Sequence, residues 1–223
     1  CTTSALEPKQ ASSGSSTTYS ASECSLTQMG SGPRPGVPNH GATSMEDDII
    51  DSLYGTIRTV PDFPIEGIMF RDITPVLADG ELLTTLVDRM VTDMDALGWK
   101  PTHIAGPESR GFIFGSMVAE RLGVGFIPVR KPGKLPYHVA SAEYALEYGT
   151  NTLEIHTDAV GEGDRVVILD DLLATGGTVA ATVGLCRDLG ASVQGAMFLI
   201  ELDGLGGSEK TGVDTHSLLS FPA

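Results

Sequence analysis

An α/β fold, a doubly wound and mainly parallel sheet with helices on both faces, is predicted by three features of the chain. Short apolar runs alternate with stretches of helical period from residue 81 to residue 201. One of those runs, Val166 to Asp170, passes into a Thr/Gly loop and then into a helix. The composition can supply a core, since 41% of the 223 residues are hydrophobic and 19% charged, with mean hydropathy near zero. In such sheets ligands bind beyond the carboxyl ends of the strands, so chemistry is expected in the loops there.

Residues 1–44 hold 16 Ser and Thr, 5 Gly and 4 Pro, with few bulky apolar side chains to repay chain ordering, so this stretch is expected to be a disordered tail. One domain follows, residues 45–223. Met45 to Arg58 places Ile49, Ile50, Leu53 and Ile57 on one helical face, with Ser44 and Asp47 as a cap-like start. Glu81 to Leu97 repeats the helical period and stops at Gly98. Strands are expected at His103 to Gly106, Val124 to Val129, Arg165 to Asp170 and Gly195 to Glu201. Helices at Phe112 to Leu122 and Thr178 to Leu189 connect them. Residues 132–152 form a long turn-rich connection, a length that usually means a lid or disorder.

The formal charge is -15, and residues 1–44 contribute nothing net to it. A broad nucleic-acid or anionic-membrane surface is therefore disfavoured, and any anionic ligand must be held locally. No apolar run reaches the ~18 residues of a membrane span, and no signal-peptide pattern is present, so a cytoplasmic location is expected. Cys1, Cys24 and Cys186 are too scattered for a disulfide framework or a thiolate metal site.

The most informative stretch is Val166 to Thr178, VVILDDLLATGGT. Gly176 and Gly177 let successive N–H groups point into one concavity, and a helix N-terminus behind them adds partial positive charge, so a phosphate can be bound without a lysine. Ala174 belongs to the same loop, and Thr175 and Thr178 add hydroxyl donors. A Walker A loop and a dinucleotide GxGxxG pattern are both absent, which favours a terminal monophosphate. Asp170 and Asp171, just upstream, suit two adjacent sugar hydroxyls; the alternative is an Asp pair that ends a strand with turn hydrogen bonds.

An acidic pair followed by this phosphate loop resembles the signature of the type I phosphoribosyltransferases, and the likeness extends over residues 48–221. The resemblance, closest to the purine-salvage branch, implies transfer of the 5-phosphoribosyl group from 5-phosphoribosyl 1-pyrophosphate to adenine, yielding AMP and pyrophosphate. It implies a small N-terminal hood that binds the base, a flexible lid loop, a homodimer, and Mg²⁺ carried on the diphosphate rather than held directly by the protein. Ser109, Arg110 and Gly111 match the pyrophosphate loop, although Arg110 alone reads equally well as a surface cation paired with Glu108. Arg130, Lys131 and Lys134 concentrate a quarter of the domain's basic residues in five positions; by resemblance they bind pyrophosphate, with Arg130 reaching the neighbouring subunit. Glu147 matches the glutamate placed near the purine, a candidate for handling the base's proton or orienting the nucleophile as N9 attacks, although without the resemblance it reads as a solvent-facing loop carboxylate; Tyr148 matches the tyrosine near pyrophosphate.

The segment Pro61 to Pro75, PDFPIEGIMFRDITP, is opaque to physics alone. The resemblance makes it the base edge: Phe70 stacks on the purine, Met69 and Arg71 offer main-chain hydrogen bonds, and Leu172 covers the other face. Core packing of Phe70 and Met69 is the competing reading. Two functional rivals stand beside adenine transfer. One is the same reaction on hypoxanthine, guanine, xanthine or orotate; the other is a non-catalytic regulator that senses the phosphoribosyl ligand.

Overall fold

A computed structural model describes residues 45–145 and 150–223. The tail, Ser44, Glu147 and Tyr148 lie outside the described residues. Helix α1 (Met45–Thr56) buries Ile49 and Leu53, as its period requires, and the chain leaves the helix two residues earlier than expected, so that Arg58 opens a strand. Strand β1 (Arg58–Pro61) pairs antiparallel with β2 (Met69–Asp72), a hairpin the sequence pattern did not disclose because its strands are four residues each and half-exposed. Helix α2 (Thr74–Ala78) leads into α3 (Gly80–Ala96), whose start is capped by the Asp79 carboxylate accepting from the N–H groups of Glu81 and Leu82.

The central sheet contains β3 (His103–Pro107), β4 (Gly125–Val129), β7 (Arg165–Leu173), β8 (Ser192–Asp203) and β9 (Thr215–Pro222), in the order β4-β3-β7-β8-β9 and parallel throughout. Helix α4 (Gly111–Leu122) connects β3 to β4, and α5 (Gly177–Asp188) connects β7 to β8. From Val166 to Leu169 the side chains of β7 alternate between two cores, Val167 and Leu169 joining α1, α3 and α4 and Val166 and Ile168 joining α5; beyond the acidic pair the order shifts, with Leu172 against the first core and Leu173 in the second. Helices therefore cover both faces, as predicted. Full burial of side chains such as Phe114 and Leu169 contributes roughly 1.5–3 kcal/mol each.

The turn-rich connection is more ordered than expected. Strands β5 (Val139–Ala145) and β6 (Thr150–His156) form an antiparallel ribbon, and only its tip, residues 146–149, falls outside the described residues. The period-2 signal was present in Leu153 and Ile155, which are buried on one side of β6. Short α6 (Gly207–Thr211) precedes β9.

From β3 the chain winds outward to β4, and from β7 it winds the opposite way to β8 and β9. The switch point lies between β3 and β7. Pairing between them extends from His103/Val166 to Ala105/Ile168, while β7 runs on to Leu173. A crevice consequently opens at the carboxyl end, with Asp170 and Asp171 on its wall.

Candidate active site

A cavity of about 260 Å³ occupies that crevice, lined by Glu108, Ser109 and Arg110 from the end of β3 and by residues 170–179 from β7, the following loop and α5. Contrary to expectation, the acidic pair does not end its strand; β7 continues through Leu172 and Leu173. Asp170 Oδ1 accepts from the Asp171 N–H at 2.9 Å. Burial pushes the Asp170 carboxyl well above the ordinary range, and the neighbouring Asp171 charge pushes it further. Asp171 is also raised by burial, against the opposing pull of Arg110.

Arg110 Nε stands 2.9 Å from Asp171 Oδ2, yet its N–H is not aimed at that oxygen. The attraction is Coulombic, and Asp171 Oδ2 is a buried acceptor without a hydrogen bond. The same guanidinium lies 5.7 Å from the centre of the Phe70 ring, which meets Phe63 edge to face at 5.1 Å. Arg110 thus links the acidic pair to the β2 hairpin. Glu108, its expected partner in the surface-cation reading, is instead bound to Arg130.

Close packing shapes the loop Ala174–Thr178. Gly176 has φ +75°, and a Cβ there would come within 2.3 Å of the Gly207 carbonyl oxygen. A Cβ on Gly207 would in turn sit 2.1 Å from the Ala174 carbonyl oxygen. Helix α5 starts at Gly177 without a side-chain cap, so its first N–H groups face the cavity free for an anion. Gly111 lets α4 approach β7: a Cβ would meet the Leu169 carbonyl at 2.9 Å and Asp170 Oδ1 at 3.0 Å.

One wall thus gathers Ser109, Arg110, Asp170, Asp171, Leu172 and Ala174 to Thr178. Arg130, Lys131 and Lys134 occupy the adjoining turn rather than the wall. On β2, Met69 is 46% exposed, while the Arg71 side chain turns away to β9, donating to the Pro222 carbonyl at 3.3 Å and lying 4.4 Å from the Phe221 ring. Sequence reasoning read Glu108 only as a partner for Arg110 and passed over Gly207 and Tyr144, whose hydroxyl accepts from Thr178 Oγ1 at 3.4 Å. A Gly pair and a lone acid or tyrosine carry no local signal of such contacts.

Residues 77–214 match the family model described as a phosphoribosyl transferase domain. Adenine phosphoribosyltransferase from Francisella tularensis subsp. novicida is 53% identical over 173 residues, 77% of this chain and 99% of that one. The chain belongs to the adenine phosphoribosyltransferase family. Among solved adenine phosphoribosyltransferases, the one from Thermoanaerobacter pseudethanolicus superposes with TM-score 0.75 at 52% identity, covering 77% of this chain and 99% of that chain. Adenine phosphoribosyltransferase from Saccharomyces cerevisiae, crystallised with an imino-altritol bisphosphate and adenine, gives TM-score 0.75 at 39% identity, covering 78% and 99%.

Proposed function

We propose that the cavity carries out purine salvage as a phosphoribosyl transfer: adenine and 5-phosphoribosyl 1-pyrophosphate become AMP and pyrophosphate. The observation that carries the residue assignment is the convergence of Asp170, Asp171 and the uncapped α5 N-terminus on one cavity. Residues Ala174 to Thr178 hold the 5-phosphate, and Asp170 and Asp171 take the ribose hydroxyls, which supply the donor that Asp171 Oδ2 lacks. Ser109, Arg110 and Gly111 receive the pyrophosphate together with Arg130, Lys131, Lys134 and Tyr148. Phe70 and Leu172 sandwich the adenine ring, and Met69 and Arg71 read its edge through the main chain.

In the chemical step N9 of adenine forms a bond to the anomeric carbon as the bond to pyrophosphate oxygen breaks, with inversion. The proton leaving the base passes to Glu147. Because the developing oxocarbenium ion would be captured by water, the ribbon is assigned to exclude solvent. Mg²⁺ would enter this site on the diphosphate rather than on protein ligands, and the carboxyl groups of Asp170 and Asp171 on the cavity wall suit a divalent cation delivered in that way. When bound, it neutralises charge on the leaving diphosphate.

Among the described residues no helix is long and apolar enough to cross a membrane. We assign the enzyme to the cytoplasm, where a charged phosphorylated donor is retained, with residues 45–223 as the catalytic domain. A homodimer is supported by the exposed Phe63, Ile65 and Ile68 beside the base edge. Pyrophosphate release with Mg²⁺, phosphoribosyl pyrophosphate and, separately, adenine, hypoxanthine, guanine or orotate tests the reading. Release with adenine alone is expected. Release with another base overturns the base edge, and silence in every well would favour the regulator.

A further inference from the structure

Two carboxylates stand beside a turn whose cations are assigned to an anion, an arrangement that works against binding unless the acids do something else. We propose that Glu108, seconded by Glu154, is a positioning residue that fixes the basic turn 130–134 against the diphosphate side of the cavity. The inference rests on the pyrophosphate assignment above. Glu108 Oε2 accepts from Arg130 Nε at 3.0 Å and from the Lys131 N–H at 3.3 Å. Glu154 Oε2 accepts from the Gly133 N–H at 2.9 Å, and its backbone exchanges hydrogen bonds with Arg130 at 2.9 and 2.7 Å. Since Pro132 has no N–H, the two glutamates take every backbone donor from Arg130 to Gly133.

The restraint reaches the Arg130 side chain as well. Its guanidinium lies 5.7 Å from the centre of the Phe112 ring and donates to the Lys134 carbonyl at 3.4 Å. Glu108 itself lines the cavity, and its N–H is anchored on the Val129 carbonyl at 2.8 Å, joining the ends of β3 and β4. Burial would raise the Glu108 carboxyl, but the bonds from Arg130 and Lys131 outweigh it and hold the group below its ordinary value, hence ionised. A turn held this way presents Lys131 and Lys134 from a fixed backbone, so less ordering is left to occur when diphosphate binds.

Steady-state kinetics of Glu108→Ala and Glu108→Gln, beside thermal melts, test this. The Ala variant should raise KM for phosphoribosyl pyrophosphate about tenfold while KM for adenine stays within about twofold, because only one ligand's site has lost its organiser. Gln keeps an oxygen acceptor at the same reach and should recover most of that loss; Glu154→Ala should shift the same KM in the same direction. Parallel rises in both KM values with a fall in Tm, or an Ala variant whose donor KM is unchanged, would overturn the inference. If wild type itself releases no pyrophosphate with adenine, the function fails; if wild type is active and the variants are flat, only the role of Glu108 fails.

Discussion

At the residue scale the two aspartates illustrate a site that works against stability. Asp170 and Asp171 both have folded pKa values above the unfolded value of 3.8, so the folded chain favours their neutral forms. For a group shifted upward, the stabilising contribution is complete below the unfolded value and lost as pH rises through the folded one. Asp170→Asn, which mimics the neutral form, should therefore melt higher than wild type at pH 7, by about 2–4 °C for each ~1 kcal/mol recovered, with the difference closing toward pH 4. Activity should be lost in the same variant. Asp171→Asn should lower turnover roughly 100-fold, the loss typical of removing one preorganised group at a reacting centre, with circular dichroism unchanged. Near-normal turnover would remove Asp171 from the ribose role.

At the element scale the loop Ala174–Thr178 packs against the start of α6, about 30 residues further along the chain. Gly207→Ala places a methyl group 2.1 Å from the Ala174 carbonyl oxygen, backbone against backbone, so the loop must move. Donor KM should rise at least about tenfold, whereas Gly184→Ala, where a Cβ meets nothing within 4 Å, should be tolerated and should stabilise α5 by up to ~1 kcal/mol. A second joint connects α3 to β9, where Asp93 accepts from Arg89 Nε at 2.7 Å and pairs with His216 Nε2 at 2.9 Å. Burial would raise the Asp93 carboxyl, but these two bonds prevail and lower it. A lowered pKa means stability present above 3.8 and lost as pH falls through the folded value. Asp93→Asn should accordingly melt a few degrees, about 2–4 °C, below wild type at pH 7, with the gap closing as pH falls below 3.8 through the folded value.

At the scale of the whole molecule, β9 packs behind the hairpin to which the base edge is assigned. Tyr54 donates to the Ser220 carbonyl at 3.0 Å, accepts from the Ser220 N–H at 3.1 Å and meets Phe221 at 5.1 Å, while the Arg71 guanidinium lies over the Phe221 ring at 4.4 Å. Chain end, first helix and hairpin are one structural unit. Deleting residues 220–223 should raise KM for adenine at least about fivefold and leave KM for phosphoribosyl pyrophosphate within about twofold, a split that initial-rate measurements with each substrate varied in turn would detect.

Periodicity was enough for four of the five parallel strands and the helices between them, because β7 and β8 are buried on both faces and carry the apolar runs Val166–Leu169 and Ala196–Ile200, whereas β9, partly exposed along most of its length, was not read. VVILDDLLATGGT likewise marked a strand, loop and helix that line the cavity, since strand, acids, glycines and helix are contiguous in the chain. Local pattern could not show that Arg110 lies against Asp171 and Phe70, that Glu108 holds Arg130, or that Gly207 abuts Ala174. Glu108 meets Arg130 because the paired strands β3 and β4 end side by side, and the other contacts join residues brought together only when β3 and β7 part at the switch point and the returning chain packs beside them. Contacts distant in sequence leave no period to read, so tertiary packing decided them.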